Sequence, residues 1–157
     1  MKAYIVNPDT NQLISIESWA KDADPTRAEH LAVKLENGVT YILPKKSLGR
    51  FDWEAANRMA EEYHPAGFQG LKFRLPTRKE FIDLYDARFL GGLDEAIQLV
   101  GGDIMGPHWY WTSERDANPN YDTNFAWVFY GYNGLAYYYY GFCSGFQAVP
   151  VALSIDY

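Results

Sequence analysis

The side chains that could do chemistry in this chain are few: three histidines, one cysteine, an Asn/Asp-rich run and a dense set of tyrosines. His30, His64 and His108 lie far apart, with no spacing to Asp, Glu or Cys that would complete a zinc site. Asn118, Asn120, Asp122 and Asn124 put hard oxygen donors between Thr112 and Trp127, the donor type that calcium takes. On residue type alone a calcium site stays open. Cys143 is the only cysteine, so no intrachain disulfide forms, and no histidine stands near it in sequence to make it a thiolate. Glu114 and Asp122 are carboxylates without the paired partner that acid–base catalysis uses. No enzymatic activity is expected, and neither a metal nor a cofactor.

Recognition is the chemistry that remains. Seven of the thirteen tyrosines fall between Tyr121 and Tyr140. From Asp116 to Phe146 there is no Lys, Arg, Glu, Gln, Met or His, while Tyr, Asn, Asp, Gly and Ser abound. Tyrosine offers a large, rigid, amphipathic contact area for two side-chain torsions, and with Asn, Gly and Ser it is the usual composition of a paratope. The residues expected to bind are Tyr130, Tyr132, Asn133, Tyr137 and Tyr139, with Asn120, Tyr121 and Asp122 beside them.

A hairpin must hold these side chains. Asn133-Gly134 separates two aromatic and β-branched runs, and Asn-Gly suits the two φ > 0 positions of a type I′ turn. A two-residue loop there pairs Tyr132 with Leu135, Tyr130 with Tyr137, Val128 with Tyr139 and Trp127 with Tyr140. Alternation then puts Trp127, Phe129, Tyr138 and Tyr140 on one face, expected to be core. The opposite face carries Val128, Tyr130, Tyr132, Leu135, Tyr137 and Tyr139, expected to meet solvent or a ligand.

Upstream, Ala3–Val6 and Leu13–Ile16 read as short strands around an Asn7-Pro8-Asp9 turn, and Leu31–Leu35 and Val39–Leu43 as a hairpin around Glu36-Asn37-Gly38. Asp52 can cap a helix through Tyr63, with Trp53, Ala56, Met59, Ala60 and Tyr63 on one stripe. Thr77 and Glu80 form a capping box ahead of Phe81, Leu84 and Tyr85. Paired glycines bracket a third helix, Leu93 to Val100. At 157 residues without a linker or repeat, residues 1–157 are expected to form a single domain. A net charge of −6 argues against a nucleic-acid partner. No run is long enough to insert in a membrane, and residues 1–8 lack the apolar stretch of a signal peptide.

The blocks Trp53-Glu54-Ala55-Ala56, Phe73-Arg74-Leu75-Pro76-Thr77 with Glu80, Trp109-Tyr110-Trp111-Thr112-Ser113, Ala126-Trp127, Asn133-Gly134 and Ala148-Val149-Pro150-Val151 follow one another in order. This order resembles the bacterial and phage domains of C-type lectin fold that include the C-terminal domain of the Legionella collagen-like adhesin. More distantly it is similar to formylglycine-generating enzymes and to the variable proteins of diversity-generating retroelements. The resemblance covers about residues 29–155 and implies an α+β fold, two or three helices packed on antiparallel sheet with a C-terminal β-hairpin. Phe73 stands where the family has Trp, and Val149 where it has the Arg of its closing strand. The Glu-Pro-Asn, Gln-Pro-Asp and Trp-Asn-Asp motifs of calcium-dependent glycan-binding relatives are absent, as is the cysteine pair of the formylglycine-generating enzymes.

The resemblance therefore implies a non-catalytic ligand-binding domain for a protein or cell-surface macromolecule. The residue set of 116–146 is similar to what adenine-directed mutagenesis of Asn codons yields in retroelement-diversified proteins. The alternative is an undiversified subunit of a virion or surface assembly, with the Tyr face buried against a partner and an oligomer compatible with either reading. Without a signal peptide, the expected location is on a virion, or in the cytoplasm before assembly or export by another route.

Overall fold

The computed structural model describes residues 1–19, 24–115 and 125–155. It is a mixed α/β structure of three helices and two five-stranded, mostly antiparallel sheets. The first sheet contains β1 (Lys2–Val6), β2 (Leu13–Ser15), β3 (His30–Lys34), β4 (Thr40–Pro44) and β10 (Ala152–Ser154), in the order β10-β4-β3-β1-β2. The second contains β5 (Arg50–Phe51), β6 (Trp109–Arg115), β7 (Phe125–Tyr130), β8 (Leu135–Tyr140) and β9 (Phe146–Gln147), in the order β5-β9-β6-β7-β8.

Two of the three helices start on a side-chain cap. Asp52 accepts from Ala55 N at 2.8 Å and opens α1 (Trp53–Glu61). This helix stops two residues short of Tyr63, whose N–H instead closes a tighter turn onto Ala60 O. Thr77 and Glu80 form the complete capping box that opens α2 (Arg78–Leu90). Glu80 also takes both terminal nitrogens of Arg74, at 2.7 and 2.8 Å. Arg74 in turn bridges to Val151, so the Arg-Leu-Pro-Thr and Val-Pro-Val blocks are joined in space. The third helix, α3 (Leu93–Val100), ends in the left-handed Gly101.

Helix α2 lies between the sheets, and its Phe81, Leu84 and Ala87 are buried. They join Ile5, Leu31 and Leu43 of the first sheet, Leu93, Ile97 and Val100 of α3, and Tyr110 and Phe129 of the second. Val149 is fully buried in this same core. On the opposite face of the second sheet, Ala56 and Ala60 of α1 and Leu75 cover Trp111, Ala126 and Val128. Strand β7 consequently has buried residues on both faces, Phe129 on one and Ala126 and Val128 on the other. The expectation of one buried face fails because a helix covers each side.

Candidate functional site

The hairpin forms, in a register two residues from the expected one. Tyr130 pairs with Leu135, Val128 with Tyr137, Trp127 with Tyr138 and Phe125 with Tyr140. The connection is the four residues Gly131–Gly134, because only Gly134 takes a left-handed φ, 72°, while Asn133 does not. A type I′ turn needs both. Tertiary contacts hold this longer loop. A Cβ on Gly131 would lie 2.1 Å from Gly106 O, and one on Gly134 would lie 2.6 Å from the Tyr85 ring. Arg88 Nη1 donates to Gly131 O at 2.8 Å, and its Nε to Asp94 at 2.8 Å. The shift is even, so each side chain keeps its expected face.

The first face carries an aromatic strip. Tyr130 stacks on Trp109 at 4.2 Å, with 10° between the planes. Tyr137 meets the same indole edge-on at 5.1 Å, and Phe146 lies 5.9 Å from it. Tyr139 abuts Phe146 at 5.0 Å, and Tyr132 extends the strip from Tyr130 at 5.9 Å. Asn133 steadies the tip: its Nδ2 donates to Tyr137 Oη at 2.9 Å, and its Oδ1 accepts from Leu135 N at 3.1 Å. Tyr132 is 72% exposed, Tyr139 43% and Tyr137 37%. Tyr130 is half-buried beneath Trp109, so it supports the strip more than it presents it. Trp109 and Phe146, absent from the expected set, are the rings that join it; Trp109 sits opposite Tyr130 across β6 and β7. Asn120, Tyr121 and Asp122 lie outside the described residues.

The second face departs from expectation. Phe129 is core, but Trp127 is half-buried under the Arg78 guanidinium, 4.1 Å from its ring. Tyr138 and Tyr140, expected to be inward, are 37% and 44% exposed. They pack sideways on Phe125 and Trp127, and Tyr140 also meets Phe142 at 5.3 Å. The cause is topological: β8 is an edge strand, and the helices on this sheet lie over β6 and β7. Tyrosines on both faces of β8 therefore meet solvent.

Glu114 and Cys143 are both engaged by neighbouring side chains. Glu114 accepts from Arg78 N and from Arg78 Nη2 at 2.9 Å, and those bonds hold its carboxyl below the usual carboxylate range. Cys143 packs against the cluster around Trp111. Among the described residues no group of three or more His, Cys, Asp or Glu gathers as a metal site would. Between α1 and β7, a cleft of about 140 Å³ is lined by Asp52, Trp53, Arg115, Phe125 and Phe142. That is below the roughly 300 Å³ at which small-molecule pockets begin.

His30 faces a larger hollow of about 350 Å³, lined also by Asn11, Glu29, Tyr63 and Pro65. Its Nε2 lies 2.6 Å from Tyr63 Oη. Burial pushes the imidazole down to about 4 from an ordinary 6.5, against the opposing pull of Glu29. As pH falls, the unfolded chain protonates first, so this contribution to stability is full above pH 6.5 and is lost toward pH 4. The melting temperature is expected to fall between pH 6.5 and 4.5, before Glu80 and Glu114 begin to titrate from below their ordinary 4.5. His30→Gln should flatten that part of the profile. An unchanged slope would assign the proton uptake to another group.

No helix among the described residues is long and apolar enough to cross a membrane. Compared with known protein families and with curated protein sequences, the chain matches none.

Proposed function

We propose that this chain is a non-catalytic recognition domain of C-type lectin fold that binds a protein or cell-surface macromolecule. The carrying observation is the strip Trp109–Tyr130–Tyr132–Tyr137–Tyr139–Phe146, aromatic throughout and open to solvent along its outer rings. Rigid aromatics of this kind are the usual anchors of protein interfaces. The fold assignment draws on the order of the motif blocks and on the junction of Arg74 with Val151. Within this reading the domain is a retroelement-diversified variable protein of phage or bacterial origin, its varied positions being Tyr132, Asn133, Tyr137, Tyr139 and residues 120–122. The second reading, an undiversified assembly subunit, is favoured by one observation: β8 is open on both faces rather than on one.

Tyr132→Ser and Tyr139→Ser are expected to leave the melt nearly unchanged, because these side chains contribute little packing. As hot spots they should each weaken binding by about 2 kcal/mol, some thirtyfold, in a cell-surface binding assay. Binding that survives both changes would move the recognition site elsewhere. Deep sequencing of the 3′ end of the gene in one population separates the two readings. Substitutions concentrated at the named positions mean a diversified protein, and a uniform sequence means an assembly subunit.

A further inference from the structure

The two sheets have four edges, and three of them are short. Strands β2 and β10 have three residues each and β5 has two. The fourth, β8, has six residues, Leu135–Tyr140, about 20 Å of backbone. Natural edge strands of that length are blunted by Lys, Pro, a bulge or a covering element. Strand β8 has no charged residue and no proline, and its register with β7 is unbroken. No strand pairs with its outer side among the described residues.

We propose that β8 pairs antiparallel with β8 of a second copy of this chain, about a twofold axis through Tyr138, making one ten-stranded sheet. Such an axis, perpendicular to the sheet, reverses strand direction and preserves the faces. Tyr138 then lies opposite itself, Tyr137 opposite Tyr139 of the second copy, and the small Ala136 opposite Tyr140. Facing positions from Ala136 to Tyr140 each receive an aromatic–aromatic or aromatic–small pair, which stabilises cross-strand contacts. A foreign strand would be selected by complementary charge, and β8 carries none. The run of four tyrosines matches itself. The edge carries no charge, so no like charges meet across the pairing, and the repulsion of two copies at −6 acts at longer range, where salt screens it.

The area bounds the contact. Leu135, Tyr137, Tyr138, Tyr139, Tyr140 and Phe142 are 37–70% exposed. With aromatic side chains at roughly 150–250 Å² when fully covered, these supply at most several hundred Å² per copy. That places the contact no higher than the low end of specific interfaces, about 1,200 Å² in total, the size of reversible associations. The faces being preserved, the aromatic strips of both copies end on one side of the shared sheet. Tyr137 and Tyr139 belong to both strip and seam, whereas the strip's Tyr132 lies outside the paired strand and separates the two roles.

Sedimentation velocity over a concentration series tests it. The wild-type chain should shift from monomer to dimer. Tyr138→Lys and Tyr138→Glu should each be monomeric with a near-native melt, and an equal mixture of the two should dimerise again. Restoration on mixing separates lost pairing from lost folding. Tyr138→Phe and the tip variant Tyr132→Ser should still dimerise, whatever Tyr132→Ser does to ligand binding. In hydrogen exchange, the β8 amides should gain protection as concentration rises. A wild-type chain that stays monomeric throughout would overturn the proposal and leave the edge to a strand from another protein. A mixture that stays monomeric, or a dimer indifferent to either charged variant, would overturn it as well.

Discussion

Phe129→Ala is expected to cost about 3–5 kcal/mol, a large share of the stability of a domain this size. Phe129 is fully buried, stacked on Phe81 at 5.0 Å with 6° between the planes, and meets Tyr85 edge-on at 6.0 Å. Removing the ring opens a cavity between α2 and the second sheet, where helix and strand are both fixed by other contacts and collapse poorly. Trp127→Ala, two residues earlier on the same face, should cost clearly less. Trp127 is half-buried and lies under Arg78 rather than in the core, so the lost terms are partial burial and a cation–π contact of about 0.5–2 kcal/mol. Chemical denaturation of both variants measures the contrast. Equal losses would mean that the Trp127 side chain is as enclosed as Phe129.

Arg74→Ala should have the second largest effect, about 2–3 kcal/mol at neutral pH. Glu80 is only 6% exposed, and its carboxylate is held by both terminal nitrogens of Arg74 and by Thr77 N. Breaking a buried pair from one side typically costs 3–5 kcal/mol, because it strands the other charge. The Arg74 side chain is 40% exposed, so solvent screening lowers the expectation. Burial pushes the Glu80 carboxyl up, and the bonds from Arg74 and Thr77 outweigh it, leaving it below its ordinary 4.5. In the wild type that stability is therefore present above pH 4.5 and lost as pH falls through the lowered value. Without Arg74 burial dominates and the carboxyl rises, so protonation comes to favour the folded state. The stability gap between wild type and Arg74→Ala should narrow steadily as pH is lowered. A gap independent of pH would mean that the loss comes from packing of the Arg74 stem and not from the stranded carboxylate.

These two sites differ in how legible they were. Thr77 and Glu80 are three residues apart, and a capping box is satisfied by hydrogen bonds within one turn, so its chemistry can be read without knowing the rest of the fold. The same holds for Asp52 at the start of α1 and for the glycine-bracketed α3. Alternation along β7 and β8 likewise assigned side chains to faces correctly, since the pleat is a property of each strand. The partner of Arg74 across to Val151 was not legible, because 77 residues of chain separate them.

The hairpin register and the exposure of the tyrosines were decided only by the tertiary structure. Asn133-Gly134 favours a two-residue turn locally, yet the contact of Gly131 with Gly106 and of Gly134 with Tyr85 selects a four-residue loop. No local preference of Asn-Gly can compete with a loop held at both ends against other elements. Whether a tyrosine on a given face meets core or solvent depends on what lies over that strand, and α1 and α2 stop at β6 and β7. Trp109 and Phe146 complete the aromatic strip for the same reason: β6 and β9 bring them beside the hairpin from outside it, 21 residues before Tyr130 and 7 after Tyr139. Composition and the Asn-Gly pair determined that this chain carries a tyrosine-rich hairpin. Only the order of strands in the sheet left its outer strand, among the described residues, without a strand along its edge and with tyrosines exposed on both faces.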